Sequence, residues 1–96
     1  MRRVYNTYLS PLGYIQDTSI YDINNNMVGF YDGNTIFDGY GYRQGYYDGN
    51  RFYDNYGNYA GYMNTNIIYN SSNSPIGFTD NALDFLLAAS LLFLLI

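Results

Sequence analysis

The chain has 96 residues, enough for one domain with a single modest core. It holds no cysteine and no histidine, which excludes disulfides, thiol chemistry, a Ser-His-Asp triad and an imidazole metal site. Net charge is −4, with arginine as the sole cation type and aspartate as the sole anion type, so the counterion release that drives nucleic-acid binding is missing.

Met1-Arg2-Arg3 opens the chain without a following apolar stretch, so no secretory signal peptide is expected; the location is left between cytoplasm and membrane surface. A sixteen-residue unit then runs five times without a gap, beginning at Val4, Ile20, Ile36, Phe52 and Ile68. An aromatic residue stands second in each unit, and Asn6, Asp22, Asp38, Asp54 and Asn70 stand third. The tenth position is glycine in every unit, and the eleventh is always aromatic, from Tyr14 to Phe78.

Each unit reads as a β-hairpin. In the second, Ile20-Tyr21 and Val28-Gly29-Phe30-Tyr31 flank Asp22-Ile23-Asn24-Asn25-Asn26, and an Asp or Asn that opens a turn can bond the backbone two residues on. Asn25, Gly41, Gly57 and Asn73 share a column that tolerates a left-handed backbone. Units are joined by tighter turns such as Asp32-Gly33-Asn34, a strong hairpin signal. Read as a three-residue loop, this turn pairs Phe30 with Ile36 and Gly29 with Phe37. Ile36, Val28 and Phe30 then share the apolar face, and an aromatic covers each strand glycine.

Two strands per unit predict about ten short strands joined as a meander. A closed ring removes exposed edges; an open solenoid is the alternative, but no polar capping repeat is present.

From Phe85 to Ile96 the chain is uncharged and apolar on all sides, and it predicts a helix that must be buried all round, with Asn81 as N-cap and Asp84 in the first turn. Two sites compete for it. A bilayer asks for about 20 apolar residues, and the run is shorter. Ten strands make a ring of roughly 10 Å radius, close to the distance at which a helix packs on a sheet, and length favours this site. The expected fold is all-β with one C-terminal helix: a closed meander from five hairpin repeats over residues 1–81, and an apolar helix over residues 82–96 packed through or against the ring.

The Tyr-Asp turns and Gly-Tyr or Gly-Phe strands, as in Ile20-Tyr21-Asp22 and Val28-Gly29-Phe30, resemble the bacterial β-flower families, whose hairpin petals surround a shallow barrel. That fold is similar in outline to the tubby and scramblase barrels, where an apolar C-terminal helix runs through the barrel. The similarity implies a link to membranes or phospholipids. The repeats themselves carry only two cations, Arg43 and Arg51, and no lysine.

No nucleophile–base pair can be drawn, so a non-enzymatic module without cofactor or metal is expected. Asp22-Asn24-Asn26 mimics the start of a calcium loop, but Met27 and Gly33 stand where such a loop needs glycine and glutamate. Two partner classes follow. One is lipid or membrane, through Phe85 to Ile96. The other is a glycan, or self-assembly, through tyrosines expected to face away from the core: Tyr21, Tyr31, Tyr47 and Tyr53. Strand propensity alone also accounts for tyrosine at such positions.

Overall fold

A computed structural model describes residues 2–95; Met1 and Ile96, the last residue of the apolar run, lie outside the described residues. Ten strands follow in order: β1 (Arg2–Tyr5), β2 (Pro11–Gln16), β3 (Ser19–Asp22), β4 (Met27–Asp32), β5 (Thr35–Asp38), β6 (Arg43–Asp48), β7 (Arg51–Asp54), β8 (Tyr59–Asn64), β9 (Ile67–Asn70) and β10 (Pro75–Thr79). They form one closed antiparallel barrel in which each strand pairs with its neighbours in sequence and β10 returns to β1. The seam is made by Val4 opposite Thr79 and Tyr5 opposite Phe78, so β1 serves as the first strand of a notional sixth unit. The molecule is a shallow disc of 30 × 30 × 18 Å.

The two kinds of connection lie on opposite rims, because successive strands alternate in direction. On the wide-loop rim, the Asx residue at the third repeat position organises every loop in the same way. Oδ1 of Asn6, Asp22, Asp38, Asp54 and Asn70 accepts from the backbone N–H groups two and four residues on, at 2.9–3.0 Å. The left-handed residue of each loop is the expected one, with φ of +66° at Asn25, +88° at Gly41, +83° at Gly57 and +64° at Asn73; Leu9 takes the same conformation in the first loop.

On the narrow-turn rim the register differs from the expectation. The loop is two residues, Gly33-Asn34, so Asp32 pairs with Thr35, Tyr31 with Ile36, Phe30 with Phe37 and Gly29 with Asp38. Positive φ at the first loop residue alone (Asp17, Gly33, Gly49, Thr65) is the signature of a type II′ turn, whose twist suits the flanking strands. The second loop residue also ties one hairpin to the next: Asn34 Nδ2 donates to Tyr47 O at 2.8 Å, and Asn50 and Asn66 repeat the contact with Met63 and Thr79.

This register divides the two faces differently from the sequence reading. The first repeat position points inward, with Val4, Ile20, Ile36, Phe52 and Ile68 wholly buried. Each such side chain contributes about 1.5–3 kcal/mol by leaving water. The eleventh position, exemplified by Phe30, lies on the outer face instead, stacked on the aromatic at position two of the next unit.

The apolar tail fills the ring. Helix α1 (Phe85–Ser90) is capped by Asp84, not Asn81: the Asp84 carboxylate accepts from Leu87 N at 3.3 Å and holds Arg2 through Nε at 2.9 Å and Nη2 at 2.8 Å. That carboxylate holds the Arg2 guanidinium charged even more firmly than usual. Leu87, Ala88, Ala89, Ser90 and Leu91 are wholly buried, and Ser90 satisfies its hydroxyl by donating to Leu86 O. No helix of the described residues is long and apolar enough to cross a membrane.

Beyond α1 the tail widens into a π-helical turn, Leu91–Leu95. Its residues visit the hairpins in reverse order. A Cβ built on Gly77 would stand 2.7 Å from Leu91, on Gly45 2.5 Å from Phe93, on Gly29 2.6 Å from Leu94 and on Gly13 2.8 Å from Leu95. The glycine column is thus the surface against which the plug lies, and the plug covers these glycines in place of a sheet aromatic. An α-helix advances about 100° per residue whereas five-fold symmetry asks for about 72°, and the wider π-helix, bonded i to i+5, comes closer to one residue per hairpin.

Candidate functional site

The four tyrosines singled out from the sequence are not brought together. Tyr21 and Tyr53 lie on the outer face, where Tyr21 stacks on Tyr14 (5.0 Å between centroids) and Tyr53 on Tyr46 (5.5 Å). Phe30–Phe37 and Tyr62–Tyr69 repeat the arrangement, giving a belt of stacked pairs around the barrel. Each ring already spends one face on its neighbour. Tyr31 and Tyr47 contradict the expected outward orientation: both pack against the core, and Tyr47 stacks on Phe85 of α1 at 5.5 Å. The cause is the register, which sets position twelve opposite the inward first position, as in Tyr31 opposite Ile36.

The exposed aromatics stand elsewhere, on the wide loops. Tyr8 is 88% exposed, Tyr40 89% and Tyr56 87%, and Tyr42, Leu9 and Ile23 are exposed beside them. Strand alternation does not reveal them, because these residues lie outside the strands. The available signal was their placement two residues after the turn-opening Asx in three of the five units.

The two rims differ in charge. The wide loops, residues 6–10, 23–26, 39–42, 55–58 and 71–74, contain no charged residue. Three aspartates at their necks (Asp22, Asp38, Asp54) are turned into the loops as hydrogen-bond acceptors. Arg43 stands at the neck of the loop 39–42, whereas Arg2, Arg3, Asp17, Asp32, Asp48, Arg51, Asp80 and Asp84 belong to the narrow-turn side. The plug enters from that charged side, since β10 ends there, and its half-buried last residues, Leu92 to Leu95, point toward the wide-loop rim.

The loop carboxylates are electrostatically marked. The backbone N–H of Asn26, helped by that of Asn24, holds the Asp22 carboxyl below the ordinary carboxylate range, and Asn58 with Tyr56 does the same for Asp54. A folded-state pKa below the unfolded value gives stability that is full above the unfolded pKa and lost as pH falls through the folded one. The melting temperature is therefore expected to fall on acidification below about pH 4. In the Asp22→Asn/Asp54→Asn double variant this fall should be smaller, because an amide oxygen already caps the loops of Asn6 and Asn70. Thermal melts from pH 6 to 2 check this; an unchanged acid slope would assign the effect to other groups. No cluster of three or more possible metal-ligating side chains occurs among the described residues.

Comparison with curated proteins and with solved structures returns no match. A family model described as "5-fold beta-flower protein" matches residues 1–95. With five hairpins closed into one barrel around the tail, and that match along nearly its whole length, the chain belongs to the 5-fold beta-flower family.

Proposed function

We propose that the protein is a non-catalytic binding module that docks its wide-loop rim on the interfacial layer of a membrane. The observation that carries this reading is the pairing of wide loops that hold no charged residue with tyrosines at the tips of three petals. Tyrosine suits the level of lipid headgroups, since its ring is apolar and its hydroxyl stays hydrated. Leu9, Ile23 and the half-buried leucines that end the plug add apolar area on the same side. Docking of this kind is shallow and reversible, unlike insertion of a spanning helix. The tail supports it by shaping the ring and is not itself the anchor, because its central residues are wholly buried.

The rim offers no lysine, its one arginine, Arg43, lies over the ring of Tyr46, and net charge is −4, so attraction to anionic lipid is a minor contribution. Co-sedimentation with phosphatidylcholine vesicles should therefore succeed and persist in high salt, and Tyr40→Ser/Tyr56→Ser should weaken it at least fivefold without lowering the melting temperature. Protein left in the supernatant at every lipid concentration, or binding only when anionic lipid is added, would refute the reading.

A further inference from the structure

Five-fold repetition places an equivalent outer groove between each hairpin and the next, and sequence differences make each groove chemically distinct. We infer that the groove at Arg51 binds a carboxylated sugar. It is a cavity of about 530 Å³ lined by Asn50, Arg51, Tyr59, Tyr62 and Asn73. Its volume falls within the range of small-molecule sites.

Arg51 is the reason to single it out. Two of the other cations are engaged, Arg2 with Asp84 and Arg43 5.0 Å above the ring of Tyr46, while Arg3, which takes the place of Arg51 opposite Tyr14, faces a groove whose walls are tied together. Among the described residues Arg51 makes no ion pair and no side-chain hydrogen bond, although Asp48 is its cross-strand partner around the turn. Its other partner across the sheet is Tyr62. A planar guanidinium beside a phenol ring fits a carboxylate, held bidentately, on a ring that lies over an aromatic face.

The remaining groups complete the fit. Tyr62 gives one face to Tyr69 at 4.7 Å, and Tyr59 stands edge-on to Tyr53 at 6.2 Å. Asn50 donates its amide to Met63 O and keeps its own oxygen as an acceptor for a sugar hydroxyl. The Asn73 side chain makes no hydrogen bond among the described residues, leaving a donor and an acceptor on the opposite wall.

The equivalent grooves lack this set. Around Tyr14 the phenol hydroxyl donates to Asn25 Oδ1 at 2.7 Å, which ties the two walls together. Over the β10–β1 seam the groove is smaller, about 370 Å³, lined by Leu9 and Phe78 with Asp80 and without a cation. The Arg51 groove thus differs from the one at Tyr14 in access and from the one over the seam in charge.

The test is a titration of the full chain with digalacturonate and, in parallel, with its neutral digalactose counterpart, read by calorimetry and by the amide shifts of residues 50–73. Saturable binding of the acid sugar is expected, with at least tenfold weaker binding of the neutral one. Arg51→Gln should lower acid-sugar affinity at least tenfold, and Arg43→Gln should leave it unchanged, both at an unaltered melting temperature. Tyr59→Ser serves as a second variant and should weaken binding of the acid sugar. No saturable binding by the unmodified chain, equal binding of the neutral sugar, or full binding by Arg51→Gln would each overturn the assignment.

Discussion

Leu91→Asp is expected to abolish cooperative folding of the entire chain. Leu91 is wholly buried and lies against Gly77, where β10 meets the plug. Truncating such a leucine typically costs about 2–5 kcal/mol through lost burial and the cavity left behind. An unpaired carboxylate adds a desolvation penalty, because no cation among the described residues reaches the ring interior: Arg2, the nearest to the plug, is committed to Asp84. A domain of this size has only about 5–15 kcal/mol in total. Circular dichroism with thermal melting reads the outcome. Leu83→Asp is the companion variant: Leu83 is 56% exposed at φ +60°, a conformation aspartate tolerates, so it should melt much as the unmodified chain does. A folded, cooperatively melting Leu91→Asp protein would mean that the ring stands without its plug.

Gly61→Ala is expected to be the most damaging single methyl addition in the glycine column. Gly61 lies at φ +154°, and a Cβ there would run into the backbone carbonyl of Tyr69, which is held in the β8–β9 ladder and cannot swing away. Overpacking costs about 1–3 kcal/mol and a strained backbone about as much again. At about 4–8 °C per kcal/mol for a domain of this length, the melting temperature should fall by at least about 10 °C. Gly45→Ala is the informative comparison, since its Cβ would meet the ring of Phe93, the end of a side chain, at 2.5 Å. It should be destabilising, but less so. Equal melting temperatures for the two variants would argue that the plug, not the sheet backbone, limits space at this column.

The repeat was legible because its physics is local. An Asx at position three bonds amides two and four residues away, and position six must tolerate a left-handed backbone. Neither requirement needs a distant partner, so Asp22 and Asn25 read correctly from the sequence alone. The apolar tail was legible for the same kind of reason: twelve residues without charge must be buried somewhere, and their length suits a ring better than a bilayer. The glycine column was visible as a pattern, although its cause was not.

What tertiary structure alone decided is which way the residues face and what covers them. A one-residue difference in a turn exchanges the two faces of a strand, and Asp-Gly-Asn is compatible with either loop length until the core is known. The plug is that core. Leu91, Phe93, Leu94 and Leu95 occupy the space beside Gly77, Gly45, Gly29 and Gly13, which turns the glycines inward and drives Phe30 and its equivalents outward into stacked pairs. The same choice set Tyr31 and Tyr47, half-buried, against the core. The sequence by itself determined five hairpins, a closed ring and a buried tail, since each follows from repetition, edge avoidance and hydrophobicity. The orientation of every strand was settled only by contacts between residues as distant as Gly13 and Leu95.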